Sequence, residues 1–83
     1  MNMKNSHFQT SDYTLAVSLC CLGFPVDSLD CTNPQRVEFC FEREEGLDEA
    51  VKAFWKREIR VEPMTYATHS KLLKSRLFDA RKK

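Results

Sequence analysis

The sequence predicts an α+β fold in which a small antiparallel sheet packs against about three helices. Three observations lead to this prediction: leucines repeat at helical spacing early in the chain, apolar and polar residues alternate near its middle, and a long helical repeat follows. The 83 residues, 42% hydrophobic and 30% charged, suit a globular protein. We expect one domain, residues 10–80, between a flexible N-terminus, residues 1–9, and a basic tail, residues 81–83.

The first predicted element is a helix over residues 11–22. Its leucines repeat at helical spacing, at Leu15, Leu19 and Leu22. Thr10 or Ser11 is suited to cap its start, because a side-chain oxygen can accept a hydrogen bond from a free backbone N–H of the first turn. Gly23 and Pro25 then end the helix, since glycine favours the position after a helix and proline cannot continue one.

An antiparallel hairpin is expected next. Residues 36–42 have the pattern of a half-buried strand, because apolar side chains occupy every second position. The apolar positions are Val37, Phe39 and Phe41. Residues 26–31 form a weaker strand, and residues 32–35, with Asn33 before Pro34, favour a turn between the two. The sheet should therefore contain at least this hairpin, with a four-residue connection.

Two further helices complete the predicted order α-β-β-α-(β)-α. The second helix covers about residues 46–56. Its apolar stripe consists of Leu47, Val51, Phe54 and Trp55. Residues 58–62 alternate and are a candidate for a short third strand, after which Pro63 opens the last helix. One face of that helix carries Tyr66, Leu73, Leu77 and Ala80. The pattern leaves open whether Trp55 belongs to the core or is an exposed anchor for a partner.

Charge is distributed unevenly, although the formal net charge is only +1. Residues 1–70 carry seven basic and eleven acidic side chains, a net −4, and residues 71–83 carry six basic and one acidic, a net +5. The candidate protein-binding set consists of Glu38, Glu42, Glu44, Glu45, Asp48, Glu49 and Trp55. The alternative nucleic-acid-binding set consists of Lys71, Lys74, Ser75, Arg76, Arg81, Lys82 and Lys83. Either set could also be a solvated surface whose charges suit the helix dipole.

Several function classes are disfavoured by missing motifs. The sequence has no G-x-S-x-G elbow, and Gly23 and Gly46 do not form a phosphate-binding loop. Its cysteines lack the paired spacing of a zinc site; they are Cys20, Cys21, Cys31 and Cys40. We therefore expect no enzymatic activity, no cofactor and no metal. Without an apolar run of about 18 residues or a signal-like N-terminus, the sequence predicts a cytoplasmic protein that does not contact a membrane.

Four stretches carry a resemblance to a known family: TSDYTLAVSLCCLGF, VEFCFE, VEP and LLKSRLF, which together span most of residues 10–78. Its strongest points are Thr10, Ser11, Asp12, Leu15 and Ala16 at the start, and Lys74, Ser75 and Arg76 near the end. In their order and spacing these stretches resemble a family of small domains of unknown function in phages, prophages and mobile elements. The resemblance implies a gene product that acts inside a bacterial host cell, and it supplies no catalytic residues.

Two function hypotheses follow. The first is a non-enzymatic accessory protein that binds a host or phage protein, such as an inhibitor of a host defence system, through the acidic region and the adjoining helix. The second is a small nucleic-acid-binding protein that uses the basic C-terminal helix. A homodimer is compatible with both, because a small domain can bury more surface by self-association. Charge reversal in the acidic region and truncation of the C-terminus should distinguish the two hypotheses.

Overall fold

The computed structural model describes residues 7–81. In this part of the chain a three-stranded antiparallel sheet packs against three helices, which confirms the predicted α+β fold. The elements, in chain order, are β1 (His7–Thr10), α1 (Tyr13–Cys21), β2 (Ser28–Asp30), β3 (Glu38–Glu42), α2 (Leu47–Trp55) and α3 (Pro63–Arg81). The predicted hairpin corresponds to β2 and β3, and its connection, residues 31–37, is longer than the turn the sequence suggests.

The sheet has the order β1-β3-β2, so the predicted central strand pairs on both sides. Phe8 of β1 lies opposite Phe41, and Leu29 of β2 lies opposite Phe39. Because partners opposite each other share a face of the sheet, these four side chains form one apolar face. This face packs into the core, where Phe39 and Phe41 are almost fully buried.

The core is centred on α1, which has buried residues at five consecutive positions. This helix contacts both α2 and α3 as well as β1, so little of its surface remains for solvent. The buried core cluster consists of Leu15, Ala16, Val17, Leu19, Val26, Phe39, Phe41, Leu47 and Leu73. Removing one such leucine or phenylalanine side chain costs about 2–5 kcal/mol, as much as a domain of this size usually has in total.

The start of α1 differs in detail from the prediction. Asp12 is the N-cap, and its carboxylate accepts a hydrogen bond from the backbone N–H of Leu15 at 3.0 Å. Thr10 contributes one step earlier, because its hydroxyl oxygen accepts the N–H of Asp12 at 3.0 Å. The cap is therefore the aspartate and not Thr10 or Ser11. The predicted end is confirmed, since Gly23 has a φ of 100° just beyond the helix.

Two boundary predictions need correction. The third strand of the sheet is His7–Thr10 and not residues 58–62, which form no strand. The flexible N-terminus predicted for residues 1–9 therefore includes residues that pair with the central strand, while residues 1–6 lie outside the described part of the chain. The sequence gives little sign of this strand, because Phe8 is its only large apolar residue.

The last helix is confirmed, but it continues further than expected. Leu73 is buried at 3% exposure, and the other predicted members of its apolar face are partly buried. Arg81 is still helical, so the predicted basic tail, residues 81–83, begins inside α3. Lys82 and Lys83 lie outside the described residues.

Candidate functional site

Trp55 is the most exposed aromatic side chain near the core. It is the last residue of α2, it is 61% exposed, and its ring stands edge-on to that of Phe54 with centroids 4.9 Å apart. On the same helix, Leu47 is fully buried and Phe54 packs against the core. The structure thus answers the question left by the sequence: the Trp55 ring is at the surface.

A shallow groove of about 490 Å³ lies beside this ring. Its apolar walls come from the two aromatic residues at the end of α2, from the loop that follows and from the first turns of α3; beside Trp55 they are Phe54, Ile59, Val61 and Tyr66. Ile59 and Val61 are the alternating residues that suggested a strand. In the structure they lie in the α2–α3 loop, where their side chains extend the apolar surface beyond the helix.

Arg57 stands at this groove with an unusual backbone conformation. Its φ is 63°, in the left-handed region that glycine normally occupies after a helix. The conformation is held by two hydrogen bonds: the N–H of Arg57 donates to the carbonyl of Phe54 at 3.0 Å, and the N–H of Glu58 donates to that of Ala53 at 2.9 Å. An arginine here is strained, and strained residues concentrate at binding and active sites.

The predicted acidic set does not form one surface. Its larger part surrounds the β3–α2 turn and is fully exposed: Glu44, Glu45, Asp48 and Glu49. Arg43 neutralises some of this charge by pairing with Asp48 at 2.9 Å. Glu38 and Glu42 lie at opposite ends of β3, on the face of the sheet turned away from Phe39 and Phe41. Asp30 lies opposite Glu38 in the register and adds to the acidity of that face.

The aromatic groove and the acidic turn lie at opposite ends of α2. Asp48 and Trp55 are on the same side of the helix but two turns apart, about 10 Å along its axis. Basic side chains dominate around the groove: Lys52, Lys56, Arg57 and Arg60. The helix is therefore acidic at its start and basic at its end, an arrangement that complements its dipole.

The basic set on α3 is divided as well. Lys71 and Lys74 are exposed on the sides of the helix away from Leu73. Arg76 points elsewhere: its Nη1 donates to the backbone carbonyl of Val26, between α1 and β2, at 3.1 Å. Ser75 and Arg81 are exposed, and Arg81 is the last described residue of the set. No more than part of the set can therefore contact one nucleic acid.

Other polar groups serve the fold. The Tyr13 hydroxyl donates to the Ser70 carbonyl at 2.6 Å and lies 3.0 Å from the Ser70 hydroxyl, which ties α1 to α3. Burial raises the pKa of the Cys20 thiol, so the thiol is neutral at ordinary pH and is a poor nucleophile. Between residues 7 and 81, no group of three or more His, Cys, Asp or Glu side chains is arranged to hold a metal ion. Within the same range, no helix has the length and apolar character needed to cross a bilayer.

Fold and surface together define a small α+β domain whose main surface feature is an aromatic groove beside an exposed tryptophan. The chain belongs to the DUF5659 family, a domain of unknown function, and the match covers residues 5–79. The match begins before β1 and ends near the C-terminus of α3, so it includes every described element at least in part. No curated protein and no solved structure matches the chain.

Proposed function

We propose that this domain acts by binding another protein, with Trp55 as the anchor of the interface. The observation that carries the proposal is the 61% exposure of Trp55 next to an apolar groove. Tryptophan, tyrosine and arginine are the residues most enriched among those that dominate binding energy, and Trp55, Tyr66 and Arg57 all border this groove. The proposal requires no catalytic group.

The charges around α2 indicate how a partner would approach. The exposed carboxylates of the β3–α2 turn would attract a basic patch, and electrostatic attraction of this kind speeds association more than it tightens binding. The groove at the other end of the helix would then receive an apolar side chain. The sequence resemblance to phage and mobile-element domains adds a class of partner: a protein of the bacterial host, such as a component of a defence system.

Affinity capture from a bacterial lysate, followed by calorimetry with the captured protein, tests the proposal. We expect Trp55→Ala to weaken binding by about 2 kcal/mol or more, the loss typical of a residue that dominates an interface. Its own fold should remain nearly as stable, because substitutions at exposed sites usually change stability by about 0.5 kcal/mol or less.

Met64→Ala is the matched control, because Met64 is a large apolar residue that is 71% exposed and does not line the groove. This variant should bind as the wild-type protein does. A partner that binds the Trp55→Ala variant and the wild-type protein equally well would contradict the proposed anchor.

Nucleic-acid binding through α3 is the second candidate function. It is supported by the exposure of Lys71, Lys74 and Arg81 on a long helix at the surface. It is weakened by the engagement of Arg76 with the Val26 carbonyl and by the acidic outer face of the sheet. We therefore rank it below protein binding, and its test follows in the Discussion.

A further inference from the structure

A second groove, of about 580 Å³, lies between the C-terminal end of α1, the segment that leads to β2, and the middle of α3. Its volume is within the range of sites for small molecules, about 300–1,000 Å³. The lining is mainly apolar, with Val26, Leu72 and Leu73 as its largest aliphatic side chains. Leu72 is 59% exposed, so its apolar surface is available to a ligand. This groove shares no lining residue with the one beside Trp55.

One cation is held at this groove by the fold. The guanidinium of Arg76 donates from Nη1 to the carbonyl of Val26 at 3.1 Å, which fixes it against the α1–β2 segment. That hydrogen bond uses one of its five N–H donors, and a planar guanidinium can offer two parallel donors to a carboxylate. The other titratable side chains of the lining are Cys20, His69 and Asp79.

The backbone around the groove offers few donors. The N–H of Gly23 donates to the carbonyl of Cys20 at 3.0 Å, and the N–H of Phe24 donates to the carbonyl of Leu19 at 2.9 Å. The N–H of Val26 donates to the Cys20 sulfur, and burial keeps this thiol neutral by raising its pKa. A bound peptide would leave its own amides without partners here, and burying unpaired amides is costly. A hydrocarbon body has no such cost.

We propose that this groove binds a small apolar carboxylate, with its hydrocarbon body against Leu72 and Leu73 and its carboxylate on the guanidinium of Arg76. The charge of the ligand complements Arg76, and its body complements the aliphatic walls. Asp79 lies one turn beyond Arg76 on α3 and opposes an anion at this place. The site is separate from the surface that carries the proposed protein binding, so either proposal can fail alone.

The test is a titration of the ¹⁵N-labelled full chain with octanoate, followed by amide chemical shifts, with 1-octanol as the uncharged comparison. We expect saturable shifts around Val26 and Leu72, and weaker binding of octanol. Arg76→Gln should weaken octanoate binding about tenfold, the effect of one charge-assisted hydrogen bond. Lys74→Gln, which removes the same charge elsewhere on α3, should bind octanoate as the wild-type protein does, and Asp79→Asn should bind it more tightly.

Leu72→Ser provides a variant that does not depend on the Arg76 hydrogen bond. Because Leu72 is mostly exposed, the substitution should leave the fold intact and weaken both octanoate and octanol. The proposal is overturned if octanoate causes no saturable shifts, if octanol binds as tightly as octanoate, or if Leu72→Ser leaves both affinities unchanged. Shifts that cluster around Trp55 would likewise overturn it, because they would place the ligand in the other groove.

Discussion

At the scale of single residues, Arg57 is the clearest conflict between stability and sequence. A residue with a side chain in the left-handed region costs roughly 1–2 kcal/mol relative to the ordinary helical region, and the φ of 63° at Arg57 incurs this cost. The two hydrogen bonds that close α2 require the left-handed backbone at this position. Glycine would meet the same requirement without strain, so the arginine side chain is the feature that needs a role.

The substitution Arg57→Gly should therefore stabilise the protein, by about 1 kcal/mol. Urea unfolding followed by circular dichroism measures this change. If the groove beside Trp55 binds a partner, the same variant should bind it more weakly, because the guanidinium is lost. Arg60→Gly is the control, since Arg60 is exposed in the same loop and has no positive φ. A destabilised Arg57→Gly protein would show that the side chain supports the fold itself.

The exposure of Trp55 also has an explanation at this scale. In an α-helix, successive residues are rotated by about 100°, so Phe54 lies about 20° from Leu47 around α2, and Trp55 about 80°. Trp55 is thus at the border of the apolar stripe, and the narrow contact of α2 with the core ends before it. The sequence pattern includes both residues in one stripe, and only the packing decides which of them is buried.

At the scale of elements, the start of α3 depends on an unusual cap. Glu62 precedes the helix, and its carboxylate accepts hydrogen bonds from the backbone N–H of Thr65 at 2.8 Å and from the Thr65 hydroxyl at 3.1 Å. The backbone N–H of Thr65, followed by that of Met64, lowers the pKa of this carboxyl. The charged form is therefore favoured in the folded state, and the cap is strongest when Glu62 is ionised.

The variant Glu62→Gln should consequently be less stable than the wild-type protein near neutral pH. Since the pKa of Glu62 is lower in the folded state than in the unfolded state, its contribution is complete above the unfolded pKa. The contribution is lost as the pH falls through the folded pKa, so the two proteins should converge in acid. Thermal unfolding at a series of pH values measures the difference. Glu58→Gln is the control, and a gap that persists at low pH would exclude the charge of Glu62 as its cause.

The elements with a long local pattern could be predicted from the sequence, and those that depend on a distant partner could not. The helices α1, α2 and α3 and the strand β3 follow from apolar periodicity. The strand β1 has four residues and gains its order from pairing with β3, more than thirty positions later in the chain. Residues 58–62 have the alternation of a strand, but in the structure they pair with neither edge of the sheet and instead line the groove beside Trp55.

At the scale of the whole molecule, the charge division seen along the sequence is real but is spread over several surfaces. Acidic side chains occupy the outer face of the sheet and the β3–α2 turn, and basic ones occupy the end of α2 and parts of α3. The sequence could place these charges on elements, but it could not show that Arg76 turns toward Val26. Side chains on one helix face different neighbours, and the packing of α3 against α1 determines which of them remain available.

This distribution predicts weak and nearly salt-independent binding of nucleic acids. Lys71 and Arg81 are about 15 Å apart along α3, so few cations can contact neighbouring phosphates together. Each phosphate contact adds about one unit to the slope of log affinity against log salt, and we expect a slope below about two. Fluorescence anisotropy with labelled single- and double-stranded DNA and RNA at two salt concentrations measures it.

A slope of about three or more would contradict this prediction, provided that the double variant Lys71→Gln/Lys74→Gln abolished it. The matched control is Lys52→Gln/Lys56→Gln, which removes the same charge from α2. If the control variant lost binding instead, the basic end of α2 would be the contact surface. Absence of binding at low salt would leave protein binding as the better-supported function, because the carboxylates that repel phosphates would attract a basic protein surface.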